Sequence, residues 1–232
     1  MKILIYITGD THGGIDIHKL GSNKFLEGNS LTKSDYVIIS GDFGFVWTMD
    51  NKDLYWLKWF ENKKFTTLFV DGNHENFDIL NNLPIETWNG GKVHRINDSI
   101  FHLLRGQVYE IDGNKFFTFG GAESVDKVFR EEGVSWWECE MPSENEYKEG
   151  IKNLEKVNWN VDFVVTHTCP SKVLNTINES HCTFKEVNEI NEYFDEINKK
   201  ASFKNWYFGH FHRDIEIENK YICLYNKIMK IV

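Results

Sequence analysis

The sequence predicts a mixed α/β protein, α+β in its middle, on three observations. Short apolar runs recur at Ile3 to Ile7, Tyr36 to Ile39, Thr67 to Val70, Val161 to Val165 and Trp206 to Phe208. Each is of strand length and ends in a turn that holds Asp, Asn or His. Stretches with helical spacing separate several of these runs, which implies parallel pairing in the first third. Between residues 92 and 119 the pattern changes to short strands around Asp112-Gly113-Asn114, a hairpin turn signal.

Taken in order, Lys2 to Thr8 reads as a fully buried strand, and His18 to Asn29 carries only a weak helical pattern. Tyr36 to Ser40 is the second strand. Asp50 to Asn62 reads as a helix with Leu54, Leu57 and Phe60 on one stripe and Asp50 as its N-cap. Thr66 to Val70 is the third strand. Lys92 to His94, Ser99 to Leu103, Gln107 to Ile111 and Lys115 to Phe119 are expected to be antiparallel. Gly120 to Met141 has little regular pattern, and a stretch this long is expected to be functional or disordered. Ser143 with Glu146 forms a capping box that opens a helix through Val157. Val161 to Thr166 is a buried strand. Thr183 with Glu186 reads as a second capping box, opening a helix with Phe184, Val187, Ile190, Phe194 and Ile197 at helical spacing. Trp206 to Phe208 follows, then a closing hairpin of Asp214 to Ile217 and Tyr221 to Tyr225. No repeat, linker or low-complexity tract interrupts the chain.

A length of 232 residues favours one domain over residues 1–232, and 41% hydrophobic residues suffice for a large core. The net charge of −9 argues against binding long nucleic acid. Cys139, Cys169, Cys182 and Cys223 show no C-x-x-C spacing, so free thiols in a reducing compartment are expected. The first apolar run reads as a buried strand rather than a signal peptide, and no run is long enough to span a bilayer. A cytoplasmic protein with no membrane partner is the expectation.

The strand-end turns carry the chemistry. Asp10 and His12 lie two positions apart, so both side chains are delivered to the end of the first strand. Alone this is a weak signal, since single polar residues are common at strand ends. Gly9-Asp10-Thr11-His12, Gly41-Asp42, Gly72-Asn73-His74-Glu75, His167 and Gly209-His210-Phe211-His212 come in one order, each behind a strand. In this the chain resembles the calcineurin-like metallophosphoesterase superfamily, over Asp10 to His212, and is similar to its small stand-alone bacterial or phage-type members.

The resemblance implies two packed mixed β-sheets flanked by α-helices. It implies that Asp10, His12 and His212 hold one metal ion, that Asn73, His167 and His210 hold a second, and that Asp42 bridges them. No ligand of the pattern is missing. Imidazole and oxygen donors without thiolate suit Mn²⁺ first, or an iron-containing pair, with Zn²⁺, Ni²⁺ or Co²⁺ as alternatives, and do not suit Ca²⁺ or an all-oxygen Mg²⁺ site. The implied reaction is in-line attack on phosphorus by a hydroxide held between the ions. His74 is the candidate general acid for the leaving group, or else merely orients Asn73. Glu75 is expected to cap the following turn or support the ligands. His18, His94, His102 and His181 match no block and are expected to be structural or exposed. Arg130 and Arg213 are candidates for phosphate contact, against the alternative of structural salt bridges. Trp136 and Trp137 are expected to pack rather than to stack on a substrate ring.

The implied substrate is a phosphodiester or small phosphomonoester, possible substrates including a nucleotide. Protein Ser/Thr phosphatases of the superfamily carry Gly-Asp-x-x-Asp-Arg-Gly, whereas this chain has Gly41-Asp42-Phe43-Gly44-Phe45-Val46-Trp47, without the second acid and the arginine. That argues against protein phosphatase activity. A nuclease on short DNA or RNA and a catalytically silent metal-binding scaffold are the remaining alternatives, the latter opposed by the complete ligand set. The sequence is silent on oligomeric state.

Overall fold

The computed structural model describes residues 2–181 and 186–232. The strands in chain order are β1 (Ile5–Thr8), β2 (Tyr36–Ser40), β3 (Thr66–Val70), β4 (Ile85–Trp88), β5 (Gly91–Asn97), β6 (Ile100–Leu103), β7 (Gln107–Ile111), β8 (Asn114–Phe119), β9 (Phe163–Thr166), β10 (Asn205–Phe208), β11 (Ile215–Ile217), β12 (Tyr221–Cys223) and β13 (Met229–Lys230). The helices are α1 (Asn51–Glu61), α2 (Phe77–Leu80), α3 (Glu144–Lys156), α4 (Ser171–His181) and α5 (Glu189–Lys200).

Among the described residues the strands form two mixed sheets, with orders β13-β1-β2-β3-β6-β5-β4 and β11-β12-β10-β9-β8-β7. In the first, β1, β2, β3 and β6 run parallel, and the antiparallel β5 and β4 extend one edge. In the second, β8, β9, β10 and β12 run parallel, flanked by antiparallel β7 and β11. The middle strands are therefore only partly antiparallel as expected. β6 and β8 turn back to join the parallel centres of different sheets.

Side-chain alternation shows how the sheets stack. Ile5 and Ile7 share a core with Leu68, Val70, Phe116, Val165 and Ile222, drawn from both sheets, whereas Tyr6 packs on the other side with Val37, Ile39, Leu57 and Phe60. The outer face of the second sheet is covered by Leu154 of α3, Leu174 and Ile177 of α4, and Ile190, Phe194 and Ile197 of α5. A helix layer thus lies outside each sheet. Burial on both faces explains why the parallel strands read as continuous apolar runs.

Asp50 caps α1, accepting from the Lys52 and Asp53 N–H groups, and Ser143 and Glu146 form the expected capping box of α3. Leu54 departs from its expected stripe and is 50% exposed, while the acid Asp53 is buried because its carboxylate accepts the N–H groups of Trp47, Thr48 and Met49. The stretch around residues 18–29 forms two short 3₁₀ turns, Ile17–Leu20 and Glu27–Asn29, rather than a helix. α5 begins at Glu189, where Asn191 Oδ1 accepts the Asn188 N–H at 3.0 Å. Thr183 and Phe184, read as part of its start, lie outside the described residues, as does Cys182. Residues 120–141 hold only the 3₁₀ turns Lys127–Phe129 and Glu138–Glu140. No helix among the described residues is long and apolar enough to cross a membrane.

Candidate metal centre

Parallel strands bring their C-terminal ends to one edge, and the chemistry-bearing turns gather there. Asp10 and His12 follow β1, Asp42 follows β2, Asn73 and His74 follow β3, His167 follows β9, and His210 and His212 follow β10. Four of these residues, His12, Asp42, His210 and His212, have positive φ between 43° and 70°. Such backbone is costly for non-glycine residues and persists where surrounding contacts over-determine it, commonly at functional sites. Two glycines are required by close approach. A Cβ on Gly72 would overlap the Asp42 carboxylate, and one on Gly209 would overlap that of Asp10.

Asp42 is the hub. Its Oδ2 lies 3.1 Å from His12 Nε2 and its Oδ1 lies 3.3 Å from His167 Nε2, while the His74 main-chain N–H donates to Oδ1 at 2.8 Å. Asp10 Oδ2 lies 3.3 Å from His212 Nε2, and both Asp10 oxygens accept the His210 N–H at 3.1 Å. Asn73 Oδ1 lies 3.2 Å from His167 Nε2. The His210 ring stands 5.0 Å from that of His167, centroid to centroid. Ligand atoms of Asp10, His12, Asp42 and His212 all fall within 4.8 Å of one another, a group able to hold a metal ion. All seven predicted ligands therefore converge, the two carboxylates and His167 buried and His212 about half exposed.

Contacts behind the ligands, which the sequence reading missed, set their orientation. His12 Nδ1 pairs with Asp16 Oδ2 at 2.7 Å, and Asp16 Oδ1 accepts the Tyr225 hydroxyl at 2.9 Å. His167 Nδ1 pairs with the Ser40 carbonyl at 2.8 Å. Asn73 Nδ2 donates to Ser124 Oγ at 3.1 Å, and that hydroxyl donates to Glu140 Oε2 at 2.8 Å. The Asn73 carboxamide is thus oriented by Ser124 and not by His74. Glu75 accepts the Phe43 and Gly44 N–H groups at 2.7 and 3.1 Å, bracing the loop that carries Asp42, while Asn76 caps α2. Lys19 donates to the carbonyls of Gly9, Asp10 and Tyr225. The His12–Asp16 spacing of four was the one local signal available.

These partners decide the electrostatics. Burial pushes the Asp42 carboxyl up, but His167, His12 and His74 outweigh it and hold the group well below the usual range. Burial lowers His12 and His167, yet Asp42 and Asp10 raise both to about 9. His74 is lowered, chiefly by burial and further by the Arg130 charge, against the pull of Asp42.

The other predicted residues fall at different places. Arg130 reaches His74, and its Nε also pairs with Asp126 at 2.8 Å, so it combines a site contact with a structural ion pair. Arg213 is exposed and makes no salt bridge among the described residues. Trp137 is buried, donates to Asp78 and packs edge-on against Trp47, whereas half-buried Trp136 faces the Lys127 ammonium at 4.9 Å. His94 and His102 are a buried pair, and His18 is exposed.

A model of the calcineurin-like phosphoesterase family matches residues 3–214, a span that contains all seven predicted ligands. The chain belongs to the calcineurin-like phosphoesterase family. It is accordingly a hydrolase of phosphoric esters, and the convergent donor group agrees with a metal-dependent one. The two mixed sheets with outer helices are those of a calcineurin-like fold. No curated protein matches the chain.

Proposed function

We propose that this phosphoesterase is dinuclear and cleaves a phosphodiester or a small phosphomonoester, with nucleotides among the candidate substrates. In this reading Asp10, His12 and His212 hold one ion, Asn73, His167 and His210 hold the other, and Asp42 is shared. One observation carries it. His12 and His167 each commit Nδ1 to an oxygen acceptor, at 2.7 and 2.8 Å, which uses the single N–H of a neutral ring. Each then turns Nε2 toward oxygen: His12 toward Asp42 at 3.1 Å, and His167 toward Asp42 at 3.3 Å and Asn73 at 3.2 Å. A lone pair facing an acceptor is repulsive, so the inward position must hold either a second proton, as the raised pKa values supply without metal, or the metal ion that displaces it. Hydrogen bonds that fix the outward nitrogen in this way are typical behind metal-bound histidine.

The donor set of imidazole and oxygen without thiolate favours Mn²⁺ or an iron-containing pair, with Zn²⁺, Ni²⁺ or Co²⁺ as alternatives. Bound ions would supply Lewis-acid charge and water of lowered pKa. The chain's own residues do the rest. Asp42, clamped by the His74 N–H, fixes the two ligand groups relative to one another. His74, whose ring stands 5.3 Å from that of His12, is the candidate general acid for the leaving oxygen. Arg130 offers a planar fork to the phosphate oxygens, and Arg213, beside His212, a second and more distant cation. The acidic charge of −9 supports small substrates over long nucleic acid. The cysteine spacing, with no C-x-x-C pair and no dense framework, supports a cytoplasmic location.

The test is hydrolysis of bis-p-nitrophenyl phosphate and p-nitrophenyl phosphate by metal-stripped protein reloaded with Mn²⁺, beside Asp42→Asn. Metal-dependent turnover that disappears in the variant is expected, and the ratio of the two rates sorts diesterase from monoesterase. Metal binding without turnover of either ester under any divalent ion would overturn the proposal in favour of a silent scaffold.

A further inference from the structure

A cavity of about 390 Å³ opens beside His210. It is lined by residues 122–125, 127 and 128, which follow β8, by Thr168 and Leu174, and by Glu186, Asn188 and Asn191 just before and within the first turn of α5. We propose that this cavity holds an organic group of the phosphate ester, and that it takes a neutral or cationic alcohol of nucleoside size or smaller rather than a group bearing further phosphates. The inference rests on the phosphoesterase reading of the adjoining centre.

Size and chemistry agree. Small-molecule pockets commonly run from about 300 to 1,000 Å³ and combine apolar walls with a few polar groups. Here Val125, Val128 and Leu174 supply apolar surface, while Thr168 and Asn188 add polar atoms for hydroxyl or amino groups. Charge then discriminates. Glu123 and Glu186 both line the cavity, and Lys127 is the one ammonium among its described lining residues. That ammonium is already engaged, 3.0 Å from Glu140 Oε1 and 3.3 Å from Glu123 Oε1. Burial of Glu140 makes this engagement strong, and Glu140 in turn holds Ser124 behind Asn73. Among the described lining residues, a second phosphate placed in the cavity would face two carboxylates with no unengaged ammonium. Neither Arg130 nor Arg213 lines it. Like-charge contact of this kind is how sites reject wrong ligands.

Three chromogenic diesters read the selectivity. They are p-nitrophenyl phosphocholine, thymidine 5′-(p-nitrophenyl phosphate), and the latter carrying a 3′-phosphate. The first two should exceed the third in kcat/KM by about tenfold or more, as expected for an uncompensated charge contact. The double variant Glu123→Gln, Glu186→Lys should reverse that order, since both residues are exposed and the change inverts the local sign. Equal rates for the three esters, or an order unmoved by the double variant, would overturn the proposal while bis-p-nitrophenyl phosphate turnover keeps the phosphoesterase reading intact. Should bis-p-nitrophenyl phosphate not be cleaved, that reading fails, and calorimetry without added metal still decides the cavity. Choline or thymidine is expected to bind and thymidine 3′,5′-bisphosphate is not. No binding by either alcohol, or tighter binding by the bisphosphate, would overturn it.

Discussion

Arg130 sets one terminal guanidinium nitrogen 3.0 Å from His74 Nδ1 and the other 3.2 Å from His74 Nε2. A fork that spans both ring nitrogens at nearly equal distance lies over the ring face and does not bond along its edge. Asp126 and the Ser135 carbonyl hold the same side chain from behind, at 2.8 and 3.1 Å. Arginine is thereby delivered to the site from the irregular stretch between β8 and α3.

Removing that contact should damage catalysis more than stability. Arg130→Ala is expected to lower kcat/KM on bis-p-nitrophenyl phosphate by about 10²–10³, the usual loss for one electrostatic stabiliser. Arg130→Lys should recover little, because an ammonium lacks the planar fork that stacks on the ring. Loss of the cation should also let the His74 pKa rise, moving the limb of the pH–rate profile that reports on His74 upward. Unchanged kcat/KM in Arg130→Ala would place the residue outside the reaction.

Metal uptake should release protons. Asp42 and Asp10 raise His12 and His167 to about 9 against the lowering effect of burial, so a ligating ion must displace protons at neutral pH. A raised histidine contributes stability that is complete below its unfolded value of about 6.5 and is lost as pH climbs through the folded value. Metal-stripped protein should accordingly lose stability between about pH 6.5 and 9, and Mn²⁺ should offset that loss. Calorimetric titration at pH 7 in buffers of different ionisation enthalpy is the check. Heats that do not vary with the buffer would contradict the assignment.

Asp71 and Arg105 form a buried pair directly behind the Asn73 turn. Arg105 donates to Asp71 Oδ2 from Nε at 2.8 Å and from Nη2 at 2.6 Å, and reaches the Cys139 and Glu140 carbonyls at 2.9 and 3.2 Å. It joins the metal-side turn to the stretch that supplies Glu140 and Arg130. Truncating one partner strands a buried charge, so Arg105→Met should cost about 3–5 kcal/mol. Adding Asp71→Asn should cost less than the sum of the two single changes. Urea denaturation of the four proteins of this cycle gives the answer, and strict additivity would deny the coupling.

Acid should unfold the protein partly through His94. Burial and the neighbouring His102 lower its pKa to about 4, against the pull of Asp71, and its Nδ1 lies 3.2 Å from His102 Nδ1. The unfolded chain binds a proton there below about pH 6.5 that the folded chain refuses until about pH 4. The contribution is therefore whole above pH 6.5 and shrinks on acidification, with a slope of up to about 1.4 kcal/mol per pH unit. His94→Gln should flatten the melting temperature profile across this window relative to wild type. Parallel profiles for the two proteins would exclude the mechanism.

Local rules were legible wherever one segment decides its own structure. The Asp50 cap, the Ser143–Glu146 capping box and the turn at residues 112–114 appear as read. Elements that depend on a partner were not. β4 exposes most of its residues, Ile85 at 61%, and exists because β5 pairs with it. β13 is two residues long and is defined only by β1. α4 lacked an N-terminal signal strong enough to announce it, yet Val173, Leu174 and Ile177 complete the cover of the second sheet.

The sequence by itself specified the strand-end turns and the residue types they carry, because each Asp, Asn or His follows its own strand by a few positions. Parallel pairing then obliges those turns to meet. Only the tertiary structure decided which ring nitrogen faces inward, since the atoms that set it come from Asp16 and Tyr225 for His12 and from Ser40 for His167. It likewise decided that Ser124 orients Asn73 and that Arg130 covers His74, contacts between residues 51 and 56 positions apart. Such contacts depend on how the stretch after β8 folds back over the strand ends, and no periodicity or local pairing within that stretch encodes the path.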